Sequence, residues 1–330
     1  MNTPCFIRGL GHCVPESVLT NADFERMVET NDEWIVSRTG IRERHVALKG
    51  ETCVDLCFGA AGKALAQAGI QAAELTHVIV ATFSPDAVIP SAACMLAHRL
   101  GISGRMCMDV SAACSGFLYA LETARALLAL HPQARVLVAA CDIVSSRVDY
   151  TDRSTCILFG DGAGAVVLTA EACGAGCPQV VDVLVSADGA MGDLLTVKGG
   201  GSGTPYKLGE AIRSDFFVQM NGREVYKHAV RSMSSICSDL LQKHGLTSQD
   251  VDVFIPHQAN LRIVEAVGKR LEIPEAKVFT NLQKYGNTSA ASVPLGLSEA
   301  VAEGFVKPGH LVLLGTFGGG FTWGSGLIRF

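Results

Sequence analysis

Short apolar runs alternate with longer stretches of helical period along the whole chain. The runs HVIVAT (77–82), RVLVAAC (135–141), GAVVLTA (164–170), VDVFIP (251–256) and HLVLLGT (310–316) have the length and near-continuous hydrophobicity of buried strands. Between them, apolar residues at helical spacing predict helices over Cys53–Ala68, Ser115–Leu130, Glu224–Lys243, Leu261–Leu271 and Ser292–Gly304. Strands and helices alternating in this way predict an α/β layered fold.

The order of parts also repeats. LTHVIVAT, LAHRLGI, DVSAACSGFLYALETA, RVLVAAC and FGDGAGAVVL are echoed by DVDVFIPH, VGKRLEI, NTSAASVPLGLSEA, HLVLLGT and FGGGFTWGSGLI. SAAC at 111–114 is mirrored by SAAS at 289–292. The pattern predicts a duplicated α/β unit, with halves 1–172 and 173–330 joined through EACGAGCP (171–178). Ligands sit beyond the carboxyl ends of strands in such folds, so facing halves bring both sets of strand ends to one pocket.

Composition narrows the class. Hydrophobic residues make up 48% of the 330 and charged residues 18%, enough for a large core and too little charge for a disordered chain. No apolar run approaches the ~20 residues that span a bilayer. The start, MNTPCFIRGLG, lacks a basic region followed by a long apolar stretch. A cytoplasmic protein without membrane insertion is expected. The net charge of −5 argues against general nucleic-acid binding and leaves room for a local basic patch. The 12 cysteines are scattered through apolar surroundings, with no C-x-x-C pair; Cys53/Cys57 and Cys173/Cys177 are spaced by three residues. Reduced thiols are therefore expected throughout, and no metal site.

One cysteine stands apart. Small residues precede Cys114, and Phe117, Leu118, Leu121, Ala124 and Leu128 follow it at helical spacing, which places it at a helix N-terminus. Unpaired N–H groups there favour a thiolate and offer donors to an oxyanion. The other cysteines read as small core residues. His257 directly follows the run VDVFIP, at a strand's carboxyl end, and Asn287 sits between a glycine and a second small-residue helix start. Taken singly, each reads as a structural histidine and a turn or cap residue. Together, Cys, His and Asn supply what thioester condensation needs: a nucleophile to hold an acyl group, and two neutral N–H donors for an enolate. This chemistry requires no metal or organic cofactor.

With those residues in place, DVSAACSGF, PHQAN, YGNTSAASVP and FGGGFTWG, in this order, resemble the condensing enzymes of the thiolase fold. NDEWIVSRTGIRERH (31–45) and DRSTCILFGDGAGAVVL (152–168) narrow the resemblance to the β-ketoacyl-[acyl carrier protein] synthase III branch, over essentially the whole chain. The resemblance implies a thiolase-like fold of two duplicated halves in α-β-α-β-α layers. It implies condensation of an acyl-CoA primer with malonyl-[acyl carrier protein], initiating fatty acid synthesis, by a homodimer. Its triad is Cys114, His257 and Asn287, with an oxyanion hole from the N–H groups of Cys114 and Gly319 and with Phe317 assisting decarboxylation. Trp34 and Arg153 would sandwich the adenine of coenzyme A, Arg38 would meet phosphate, and Asn260 the pantetheine arm.

Residues Leu261, Val264, Val267 and Leu271 share one side of their helix, with Arg262, Lys269 and Arg270 on the other. The resemblance makes this charged face, with Lys227, the dock for the acidic carrier protein. Ile89 stands where many members have Phe, at the residue that reaches across the dimer to floor the partner's acyl pocket; a smaller residue leaves room for longer or branched primers.

Two glycine-rich stretches are decoys. A strand, not a helix, follows GDGAG (160–164), so it is no dinucleotide fingerprint, and KGGGSGTPYK (198–207) reads as a mobile surface loop beside the pocket. Competing readings are a same-triad enzyme of specialised metabolism with other primers or extenders, a cysteine hydrolase, and a catalytically silent binding subunit. The C-G-[SA]-C-[WY] context of papain-like proteases is absent around Cys114, and a degradative thiolase would carry a second cysteine where Asn287 stands.

Overall fold

The apolar runs fold as strands and the periodic stretches as helices. The computed structural model describes residues 3–330. Its main sheet has nine strands: β1 (Phe6–Cys13), β2 (His77–Ala81), β3 (Met106–Val110), β4 (Arg135–Asp142), β5 (Gly162–Thr169), β6 (Gln179–Ala187), β7 (Val253–Pro256), β8 (Leu311–Gly318) and β9 (Thr322–Arg329). The helices that position the site are α1 (Asp32–Thr39), α2 (Cys53–Ala68), α3 (Ala92–Arg99), α4 (Gly116–Leu130), α5 (Gly222–Lys243), α6 (Leu261–Arg270) and α7 (Ser292–Ala302).

The strand order is β7-β8-β9-β6-β1-β5-β4-β2-β3. Read outward from the β6–β1 junction, the two sides follow the same plan: β1, β5, β4, β2 on one and β6, β9, β8, β7 on the other. The inner pairs are antiparallel, and β4–β2 and β8–β7 are parallel. The sides join at Phe6 opposite Gln179, where Ile7 N–H donates to Pro178 O and Val180 N–H to Cys5 O, both at 2.8 Å.

Helices α4 and α7 lie between the two sides. Their buried residues share one apolar cluster with Ile79, Val138 and Val166 from one side and Ile255, Leu314 and Ile328 from the other. On the outer faces, α2 and α3 cover the first side, and α5 and α6 cover the second. The layers are therefore α-β-α-β-α, as expected. Among the described residues, the one stretch long and apolar enough to cross a membrane is Ala113–Leu130, and it supplies α4 of this middle layer.

Helix α2 shows how local sequence sets a close packing. Thr52 and Asp55 form a capping box at its start, and Gly69, at φ +63°, ends it. Ala60, Ala61 and Ala64 let it approach β1 at Gly9 and Gly11. A Cβ at Gly11 would lie 2.2 Å from Ala60 O, which is helix backbone and cannot yield. Gly11→Ala is therefore expected to cost about 3 kcal/mol of stability, read as a lower urea midpoint.

One cysteine expectation is corrected. Cys173 and Cys177 are joined by a disulfide, with Cα atoms 5.4 Å apart. Gly174 and Gly176, at φ +134° and +78°, turn the short link between β5 and β6 back on itself, which a spacing rule based on C-x-x-C does not foresee.

Candidate active site

The chain leaves β3 at Val110 and reaches α4 through a tight 3₁₀ turn, Ala113–Ser115, in which Ala113 is left-handed at φ +44°. Strand β9 holds this turn: Thr322 Oγ1 donates to Ala112 O at 2.9 Å, and Ser115 Oγ donates to Thr322 O at 3.0 Å. Cys114 is 8% exposed. At Gly318 a Cβ would lie 2.7 Å from the Cys114 nitrogen, so only glycine allows this approach.

Burial pushes the Cys114 thiol up to about 11. A hydrogen bond donated by Ser289 Oγ at 3.5 Å and the N–H groups of Cys114 and Gly319 act in the opposite direction, while the buried Asp142 carboxyl adds to the rise. The expected donors are thus present, but the resting sulfur is a thiol, a correction to the thiolate expected at a helix terminus. Desolvation outweighs the donors here.

The second half builds a matching turn, Ser289–Ala291, leading into α7, with Ser289 left-handed at φ +51°. Ala113 and Ser289 are therefore equivalent, which sets Cys114 opposite Ala290. The SAAC/SAAS mirror, which pairs Cys114 with Ser292, is offset by two positions.

His257 follows β7 directly and is 2% exposed; its N–H donates to Gly315 O at 2.7 Å. Its Nδ1 is hydrogen-bonded to Ser292 Oγ at 2.6 Å, which leaves Nε2 for the cavity. Burial lowers the imidazole to about 4, so the ring is neutral at physiological pH. Asn287 is pinned by the first half: its N–H donates to Leu158 O at 2.8 Å, and Gly160 N–H donates to its carbonyl at 3.1 Å. Its Oδ1 accepts from Ser289 N–H at 2.9 Å, which fixes the amide orientation and frees Nδ2 as a donor.

Cys114, His257, Asn287, Phe317 and Gly319 all line one cavity of 1610 Å³. Phe317 is buried, edge-on to Phe321 with ring centroids 5.0 Å apart. With the thiol near 11 and the imidazole near 4, alkylation of Cys114 by iodoacetamide is expected to rise about tenfold per unit between about pH 7 and 9. A plateau already reached at neutral pH would instead reveal a thiolate–imidazolium pair.

The remaining expected site residues fall into three groups. Trp34, Arg38 and Asn260 line the cavity. The Arg153 guanidinium lies over the Trp34 ring at 4.8 Å, and its Nη1 donates to Glu29 O at 2.8 Å, so these two stack on each other and must part to admit a planar ring. Asn260 is largely committed to backbone: Oδ1 caps α6 at Arg262 N–H (2.9 Å), and Nδ2 donates to Arg38 O (3.1 Å). Of the four cations, Arg262 and Lys227 border the cavity, whereas Lys269 lies further along α6 and Arg270 lines a separate cleft of 180 Å³. Ile89 is 87% exposed beside the cavity residue Val88. Gly199, Gly200 and Gly201 of the second glycine-rich stretch line the cavity wall.

Sequence reasoning missed the residues that hold the site. Ser289 and Ser292 touch the reactive sulfur and imidazole, although both lie within a motif already singled out. Asp142, the polar end of an apolar strand, accepts from Thr82 Oγ1, Phe83 N–H, Ser84 Oγ and Ala290 N–H, tying both halves together beneath the cavity. Burial raises its carboxyl to about 7.

Two family models match the chain. Residues 108–189 match 3-oxoacyl-[acyl-carrier-protein] synthase III, and residues 241–330 match its C-terminal model. The chain is 56% identical over 329 residues to the β-ketoacyl-[acyl-carrier-protein] synthase III of Oleidesulfovibrio alaskensis, covering 100% of both. The chain belongs to the β-ketoacyl-[acyl-carrier-protein] synthase III family. A second synthase III, from Nitratidesulfovibrio vulgaris strain DP4, is 54% identical with 100% of each chain covered. The crystal structure of the Aquifex aeolicus 3-oxoacyl-[acyl-carrier-protein] synthase III superposes with a TM-score of 0.89 at 43% identity, covering 99% of this chain and 100% of that one. The resemblance read from the motifs therefore holds for family and fold, and this synthase III is an acyl-transferring condensing enzyme.

Proposed function

We propose that this synthase III joins an acyl-CoA primer to malonyl-[acyl carrier protein] through an acyl-Cys114 intermediate, with His257 and Asn287 as the decarboxylation pair. The observation that carries this reading is the convergence of a thiol from one half with a neutral imidazole and an oriented carboxamide from the other, in one cavity.

The steps follow from these groups. The Cys114 sulfur attacks the primer thioester carbonyl, and its proton leaves with coenzyme A as the free thiol. The N–H groups of Cys114 and Gly319 receive the oxyanion. In the tautomer where Ser292 donates to Nδ1, the imidazole proton sits on Nε2 and joins Asn287 Nδ2 in holding the malonyl thioester oxygen. Carbon dioxide departs, and the resulting enolate carbon attacks acyl-Cys114. The released sulfur takes a proton from solvent, closing the cycle without metal or organic cofactor.

Trp34, Arg153, Arg38 and Asn260 would receive coenzyme A once the Trp34–Arg153 stack opens, and the carrier protein would dock on Arg262 and Lys227 beside the cavity, with Lys269 and Arg270 further along α6. A cytoplasmic homodimer would cover the exposed Val88–Ile89 segment and bring Ile89 to the partner's acyl space. Charge reversal at Arg262 and Lys227 is expected to raise KM for the malonyl carrier about tenfold and to change acyl-CoA loading much less. Equal losses for both substrates would remove the docking face. A panel of labelled acyl-CoAs with malonyl carrier tests the reaction itself by its 3-oxoacyl product.

A further inference from the structure

Three cysteines that take no part in the catalytic cavity meet in the core below it. Cys53 and Cys57 stand one turn apart at the start of α2, and Cys141 is the penultimate residue of β4. Their sulfurs lie within 4.8 Å of one another, each residue is at most 1% exposed, and none is in a disulfide. The sequence predicts no metal site because C-x-x-x-C alone carries no such signal and the third sulfur comes from a distant strand.

We propose that Cys53, Cys57 and Cys141 form a binding site for one thiophilic metal ion, with Cu(I) the ion that fits best. A trigonal centre with metal–sulfur bonds of about 2.3 Å sets its sulfurs about 4 Å apart, so each sulfur here need move by only a fraction of an ångström. Thiolates select soft ions. Zinc completes a tetrahedron, and no histidine or carboxylate among the described residues joins the three sulfurs. Cu(I) accepts three-coordination. All three ligands stand on regular elements packed against one another, so their directions are set in advance.

Each ligating thiol gives its proton to solvent, and no electron is transferred. The negative charge that develops is offset in part where Cys53 opens α2 just after its cap Thr52, at the positive end of the helix. The site also touches the catalytic framework: the Cys53 thiol donates to Thr82 Oγ1 at 3.8 Å, and Thr82 Oγ1 donates to Asp142 Oδ1 at 3.0 Å.

The test is an anaerobic titration of the reduced, full-length protein with Cu(I) held by bicinchoninate. The wild type should withdraw one equivalent, with a sulfur-to-copper charge-transfer band. Cys53→Ala, Cys57→Ala and Cys141→Ala should each weaken retention about 100-fold, and Cys57→Ala should keep condensation activity before copper is added. Cys94→Ala and Cys114→Ala should retain the equivalent. X-ray absorption on the copper-loaded wild type, which needs no substitution, should show three sulfur neighbours at roughly 2.3 Å. Failure of the wild type to take copper, full retention by Cys141→Ala, or a shell with nitrogen in it would overturn the proposal.

Discussion

Cys114→Ser is expected to lower condensation by about 10⁴-fold or more and to abolish the acyl-enzyme seen by mass spectrometry. The substitution keeps the size of the side chain and the turn around it, because Thr322 and Ser115 hold that turn through backbone oxygens. What it removes is the soft, ionisable atom. A serine hydroxyl at the same buried point has no strong base in contact: the imidazole is lowered to about 4 and is turned toward Ser292. Residual acyl transfer of wild-type rate, or acyl label on another cysteine, would remove Cys114 from the reaction.

The second large effect separates the two half-reactions. His257→Ala and Asn287→Ala should each still load an acyl group from acyl-CoA, yet lose malonyl decarboxylation by about 10²–10³-fold, the cost of one oxyanion donor. The separation follows from the proposed roles: the loading oxyanion would use the backbone N–H groups of Cys114 and Gly319 beside the sulfur, whereas His257 Nε2 and Asn287 Nδ2, left available by the contacts of Nδ1 and Oδ1, would hold the malonyl oxygen. Measuring carbon dioxide release beside acyl-enzyme formation reads the split. If both variants lose loading as severely as decarboxylation, the division of labour is wrong.

Much of the fold was legible because periodicity and burial agree. The helix predicted over Cys53–Ala68 has those same bounds in the structure, and each of the five apolar runs carries a strand. Strands β1 and β9 were not singled out because Gly9, Gly11, Gly324 and Gly326 thin their apolar content; at Gly9 and Gly11 the backbone of α2 would lie 2.1 and 2.2 Å from an added Cβ. Strand β6 hides a buried Asp182 inside an apolar run, neutralised by Arg125 and Lys243 from two helices, and no local pattern announces such a group. At the site, the residue types of the motifs were legible. Their supports were not: Ser289 against Cys114, Asp142 under both halves, and the three thiols from α2 and β4 exist only through tertiary contact.

The shared middle layer carries one more consequence. Because α4 and α7 are each buried by strands of both sides, neither half can close a dry interior alone, and the cavity is a property of the pair. Heat should extinguish catalysis and cooperative order in a single transition, and a chain cut between β5 and β6, with the Cys173–Cys177 bond reduced, should regain either only when its two pieces reassemble.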